Sequence, residues 1–148
     1  MIIRLAKIED IEPALGLIKE FQEEVIDEYN ILCDDEVARS IMTAFVSTTL
    51  IAEKDGKIVG LLAGTIVNYP LNKNRVFQEV LWFVTKQYRK YGILLLNEAE
   101  RYAKEVWGCI QMIMVHMGNS KSEKLEAFYL KRGYKFLEAH YLKRLVCQ

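Results

Sequence analysis

Residues 1–7, "MIIRLAK", are apolar and β-prone and predict a short strand. Apolar residues then recur at Ile11, Ala14, Leu15, Ile18, Phe21 and Val25, which is the spacing of one helical face. The segment 8–29 therefore predicts an amphipathic helix with an acidic outer face, interrupted near Glu24. "DDEVARSIMTAFVS", 34–47, has acids at its start and a periodic apolar face, and predicts a second helix. In 48–67 two β-prone runs flank "KDGK", where Asp-Gly suits the positive backbone angles of a tight hairpin turn. Residues 69–75, "YPLNKNR", have loop composition, and "VFQEVLWFV", 76–84, predicts a strand buried on both faces. A long helix running to about Trp107 follows, then a buried strand over 109–117, "CIQMIMVHM". Residues 118–134 predict a loop and a helix closed by Gly133 as a left-handed cap, and 134–146 predict one or two final strands. This order of elements implies an α/β fold, a mixed sheet with helices on both faces.

A chain of 148 residues, 51% apolar, is expected to form one domain over 1–148 with a core of its own. Twenty basic side chains balance twenty acidic ones, which argues against a nucleic-acid binder that works by neutralising phosphates. The distribution is uneven: residues 1–70 carry 6 basic and 13 acidic side chains, and residues 71–148 carry 14 and 7. The two halves are thus expected to face different ligand groups. Cys33, Cys109 and Cys147 are odd in number and widely spaced, and no apolar run is long enough to span a bilayer. The expectation is a cytoplasmic protein with free thiols and no membrane partner. No close His, Cys, Asp and Glu cluster has ligand spacing, so no metal is expected.

The chemistry concentrates at 84–105, "VTKQYRKYGILLLNEAERYAKE". A strand that feeds through a loop into a helix aims unpaired N–H groups at one spot, where the helix dipole also favours an anion. Lys86, Arg89 and Lys90 add charge there, and Gly92 removes a Cβ from the path of a phosphate oxygen. A solvated helix entry is the plainer alternative. This segment resembles the acyl-CoA motif of the GNAT acetyltransferases, Q/R-x-x-G-x-G/A. Arg89, Gly92 and Leu94 of "RKYGIL" fill the motif in the preferred register, and Gln87, Lys90 and Gly92 of "QYRKYG" in the other. Leu94 or Lys90 then stands where a small residue is usual. "MIIRLAKIEDI", the "LIAEKDGKIVGLLAG" hairpin and "FYLKRGYKF" resemble other parts of the same family, in the same order.

The resemblance implies a mostly antiparallel sheet of six or seven strands whose fourth and fifth strands splay. It also implies transfer of an acetyl group from acetyl-CoA to a primary amine by direct attack in a ternary complex. Residues 89–94, namely Arg89, Lys90, Tyr91, Gly92, Ile93 and Leu94, would cradle the pyrophosphate. Pantetheine would run along Leu81, Trp82, Phe83 and Val84, where a backbone N–H would stabilise the oxyanion. Lys121 or Lys124 would approach the 3′-phosphate. Tyr129, in the late signature, would protonate the departing thiolate, and Glu79 is the candidate base. Simple alternation puts Glu79 on one face with Leu81 and Phe83, where burial would raise its pKa; the alternative is a solvated strand end.

His116 and His140 are weaker candidates, and Cys109 suits a small core residue. The acids Glu20, Glu23, Glu24, Asp27, Glu28, Asp34, Asp35 and Glu36 lie where this fold roofs the acceptor and could draw a cationic small molecule or peptide amine, although a solvated face explains them as well. Tyr29, Tyr69 and Trp82 are candidate pocket walls. A homodimer through the C-terminal strands is a further family-like option. The rival reading is a non-catalytic acyl-CoA-binding module on the same fold.

Overall fold

Alternation and turn chemistry set five strands in one sheet, in the order β1-β2-β3-β4-β5, namely Ile2–Leu5, Thr49–Lys54, Lys57–Asn68, Arg75–Val84 and Gln111–Ile113. The first three pairings are antiparallel, and β4 and β5 run parallel. Helices α1 (Ile11–Phe21), α2 (Asp35–Phe45), α3 (Gly92–Glu105) and α4 (Ser122–Lys131) complete the regular structure. The computed structural model describes residues 1–26, 33–69, 72–118 and 121–146. Two compact units, Met1–Val115 and His116–Gln148, make up the chain.

In the first unit the hairpin forms as its sequence requires, with Lys54 paired to Lys57 and with Asp55 and Gly56 at φ 51° and 74°. Ile51, Leu61, Ala63 and Phe83 present one sheet face to Ile11, Ala14 and Leu17 of α1 and Met42 of α2. Their strand neighbours Leu50 and Leu62 are equally buried on the opposite face, as are Leu95, Leu96 and Ala99 of α3. Burying each such side chain contributes roughly 1.5–3 kcal/mol. A polar tie fixes the start of α1: Arg4 bonds both carboxylate oxygens of Asp10, at 2.8 and 2.9 Å, and also Glu53, while Asp10 accepts the Lys7 N–H at 2.7 Å. The Arg4 guanidinium holds the Asp10 carboxyl below its ordinary range. The helix expected over 8–29 is a 3-10 turn, then α1, then a π-helical turn at Gln22–Ile26, which is the interruption predicted near Glu24. Residues 27–29 lie outside the described residues. Asp34 caps α2 by accepting the Val37 N–H at 3.0 Å.

Among the described residues the sheet has five strands where six or seven were expected. Two places account for the difference. The strand expected over 109–117 keeps only Gln111–Ile113, because the Val115 N–H is taken by the Glu79 carboxylate at 2.8 Å. In the second unit, α4 ends as predicted, with Gly133 at φ 91° donating to the Leu130 carbonyl at 3.1 Å. The described residues after it, to 146, form no strand, and Phe136, Tyr141, Leu142 and Leu145 are exposed. A β-prone segment without a partner edge has nowhere to place its ladder hydrogen bonds, whatever its composition.

Candidate active site

The central feature of the first unit is an irregularity in β4. Ala63 pairs with Leu81 and the next β3 residue, Gly64, with Glu79, so Val80 is an unmatched bulge. Gly64 makes this close approach workable. A Cβ there would lie 2.3 Å from Phe77 Cζ and 2.6 Å from the Gln78 carbonyl. The bulge also interrupts the alternation, so Glu79 does not share the simple register of Leu81 and Phe83.

At the same point the parallel ladder stops. β4 pairs with β5 at Val76, Phe77 and Gln78 only. Beyond the bulge, Leu81 to Val84 keep β3 on one side, and among the described residues no strand pairs with the other. Glu79 sits at this junction, 7% exposed, and accepts the Val115 N–H. Burial pushes its carboxyl up from 4.5 to about 7, against the smaller opposing effect of that N–H. A carboxyl poised there can exchange a proton near neutral pH.

β4 then leads into the basic turn. Thr85 N–H donates to the Val59 carbonyl at 2.9 Å, a 3-10 helix covers Lys86–Tyr91, and α3 begins at Gly92. Gly92 is buried, and a Cβ on it would meet the Trp82 ring at 3.5 Å, an ordinary contact. Neither packing nor backbone angle therefore demands glycine here. Ile93 and Leu94 are 47% and 45% exposed, so Leu94 lies at the rim of the helix entry and not in the core. Lys90 Nζ stands 5.1 Å from the Tyr91 ring, and Arg89 is ion-paired with Glu24. Glu20 is drawn in too: burial and the nearby Glu24 charge raise its pKa, opposed by Arg89 and by a bond from the Lys86 N–H. Acids that composition separated from the basic turn thus partly neutralise it.

Leu81, Trp82, Phe83 and Val84 are contiguous with Arg89, Lys90, Tyr91, Gly92, Ile93 and Leu94 through this one strand, turn and helix. Tyr129 belongs to the second unit, where its ring lies 5.7 Å from that of Phe128 and 5.4 Å from that of Tyr134. His116 and His140 are exposed, and Cys109 is buried, its thiol pushed up by that burial. Cys33 and Cys109 are free thiols, and Tyr29 and Cys147 lie outside the described residues. Tyr69 helps close the β3–β4 connection, its N–H donating to Asn74 at 3.0 Å. Among the described residues no group of three His, Cys, Asp or Glu is arranged to hold a metal ion, and no helix is long and apolar enough to cross a membrane. The sequence reading missed the Val80 bulge and the Glu20 and Glu24 ties. A sequence signal for the first was the pair Gly60 and Gly64 inside an otherwise β-branched and apolar strand, since strand glycines mark bulges and close approaches.

A mixed, mostly antiparallel sheet with this bulge and a basic strand-to-helix turn is the architecture that frames the candidate site. The chain belongs to the acetyltransferase (GNAT) family, whose profile matches residues 14–134. Similar solved structures include a ribosomal-protein-alanine N-acetyltransferase from Brucella melitensis biovar Abortus 2308, at 17% identity and TM-score 0.75, covering 97% of this chain and 98% of that one. An aminoglycoside N-acetyltransferase in complex with CoA matches at 17% identity and TM-score 0.74, covering 99% and 95%. An aminoglycoside acetyltransferase from an uncultured soil metagenomic sample matches at 16% and 0.74, covering 98% of each chain. At such identities the likeness concerns the fold. No curated protein matches the sequence.

Proposed function

We propose that this protein is an N-acetyltransferase that moves the acetyl group of acetyl-CoA to a primary amine by direct attack in a ternary complex. The observation that carries this reading is the β4 edge from Val80 to Val84. Among the described residues no strand pairs with its far side past Gln78; it begins at a buried carboxylate and ends at the basic turn before α3. Pantetheine amides would pair with that edge as an added strand, and the bulged Val80 region would supply the N–H facing the thioester oxygen. The fourth and fifth strands would splay around this ligand, since their ladder stops at Gln78. The phosphates would lie against residues 89–94, with Arg89 exchanging Glu24 for the ligand.

Glu79 accepts the proton of the incoming ammonium, directly or through water, because only the neutral amine is nucleophilic. The nitrogen then bonds to the acetyl carbon and releases its second proton to solvent, the carbon–sulfur bond breaks, and the thiolate takes a proton. Tyr129 is assigned that last donation on the family resemblance alone. Tyr129→Phe should lower kcat about tenfold or more while leaving acetyl-CoA affinity unchanged, as expected for loss of a general acid. Lost affinity with unchanged turnover contradicts the assignment. A homodimer through the C-terminal segment belongs to the same reading, supported by the exposed Tyr141, Leu142 and Leu145, and sedimentation equilibrium tests it.

Calorimetric titration of acetyl-CoA, followed by thiol release across a panel of amines, tests the whole. Binding with no turnover on any amine favours the non-catalytic acyl-CoA module.

A further inference from the structure

Helix α2 carries more apolar surface than the core uses. Ala38 and Met42 are buried, yet Val37, Ile41 and Phe45, one turn apart from each other, form a second apolar stripe beside them. Val37 is 55% exposed and Ile41 44%, and Val80, the bulge residue of β4, is 45% exposed. These side chains do not scatter over the surface. Together with Phe21 at the end of α1 and Leu81 on β4 they line one cavity of about 240 Å³. Its few polar neighbours are already engaged in holding backbone: Gln22 Oε1 accepts the Cys33 N–H at 2.8 Å, and Asp34 Oδ1 accepts the Val37 N–H at 3.0 Å. Among the described residues Asp34 is the only ionisable carboxylate in the lining. A concave apolar site with few polar groups is the usual form of a small-molecule pocket.

Its position ties it to the reaction. Val80 and Leu81 belong both to the cavity and to the β4 edge assigned to the thioester arm, so an occupant of the cavity would hold its nitrogen beside the acetyl carbon. Two of the acids on these helices are already paired, Glu24 with Arg89 and Asp35 with Lys19. A polycation would leave its charges against apolar walls, where desolvation opposes binding. We infer that the acceptor is a monoamine with an apolar aliphatic or aromatic body that fills the cavity between α1, α2 and the Val80 bulge. The size agrees, because an apolar cavity of roughly 150 Å³ accepts benzene, and this one leaves room for a ring with a short alkyl arm.

The inference rests on the transferase reading, and one experiment separates the two. Phenethylamine, hexylamine, spermidine and an aminoglycoside are compared as acceptors by thiol release. Phenethylamine binding is also followed alone, by methyl chemical shifts of Leu81 and of whichever of Val37 and Ile41 the protein retains. Both are repeated with Ile41→Asp and Val37→Thr, exposed positions whose variants should fold, as checked by circular dichroism. The expected result is kcat/KM for the two apolar amines at least tenfold above that for spermidine and the aminoglycoside. KM for phenethylamine should rise tenfold or more in Ile41→Asp, with acetyl-CoA affinity unchanged. Preference for the polycations, or turnover of phenethylamine that neither variant alters, overturns the cavity assignment and leaves the transferase standing. If no amine is acetylated, the transferase reading falls. The titration alone then decides the cavity: binding that Ile41→Asp abolishes sustains it as an apolar-amine site, and no binding overturns it.

Discussion

Two residues carry opposite kinds of information about the site. Glu79 is costly to keep where it is, since its burial raises the carboxyl from 4.5 to about 7. The folded state therefore holds this proton more tightly than the unfolded chain does. The associated stability is fully present below about pH 4.5 and is lost as pH rises through about 7. Melting temperature in the absence of ligand should fall between pH 6 and pH 8, and Glu79→Gln should remove that part of the fall. In activity the sign reverses, because the base must be ionised. The pH profile of kcat/KM should bend near pH 7, and Glu79→Gln should abolish the bend and lower kcat about a hundredfold. A variant with wild-type rate and profile would make Glu79 a structural cap for Val115. Gly92 is the converse case, tolerating a Cβ in its own packing. Gly92→Ala should leave thermal stability equal or slightly higher, by up to about 1 kcal/mol for the better helix former. It should still weaken acetyl-CoA binding about tenfold, some 1.4 kcal/mol. If affinity is unchanged, the phosphate cradle lies elsewhere.

Between elements, the decisive fit is that of β3 against β4. Gly64 lets Phe77 and the Gln78 carbonyl come within a distance no Cβ allows, and the register slip at Val80 follows directly. Gly64→Ala should destabilise the fold by about 2 kcal/mol or more, since the obstacle includes backbone. It should also reduce turnover more than this loss of folded protein explains, measured as specific activity of the folded fraction. An unchanged melting temperature would show that β4 can shift freely. The sequence carried the elements well where local chemistry decides: Asp55-Gly56 made the hairpin, Asp34 the cap of α2, and Gly133 the end of α4. It carried them poorly where a distant partner decides. Nothing local to "CIQMIMVHM" says that the Val115 amide will go to a carboxylate 36 residues away, and nothing in 134–146 supplies the edge a strand needs. The same limit applied to the site. That the candidate residues from Leu81 to Leu94 lie on one continuous strand, turn and helix was legible, because local sequence decides it. The ties of Glu24 to Arg89 and of Glu20 to the Lys86 amide depend on tertiary packing that charge counting cannot see.

Across the whole molecule, the contrast between an acidic first half and a basic second half suggested separate ligand faces, amine on one side and phosphates on the other. The structure brings part of that contrast together at the entry to α3, where Arg89 is held by Glu24. In the proposed reading an incoming diphosphate displaces this pair, whose partly exposed charges are worth about 0–1 kcal/mol. That is a small barrier beside multivalent phosphate contacts, so the basic turn remains available. The proposed ligand path runs through the first unit from Val80 to Leu94, along the part of β4 past its ladder with β5. The most direct test is a map of backbone amide shifts during titration with acetyl-CoA. The account predicts saturable changes concentrated between Glu79 and Leu94, with Val115 responding through the Glu79 carboxylate. Changes centred instead on the cavity around Arg4, Asp10 and Glu53, or no saturable change at all, would contradict it.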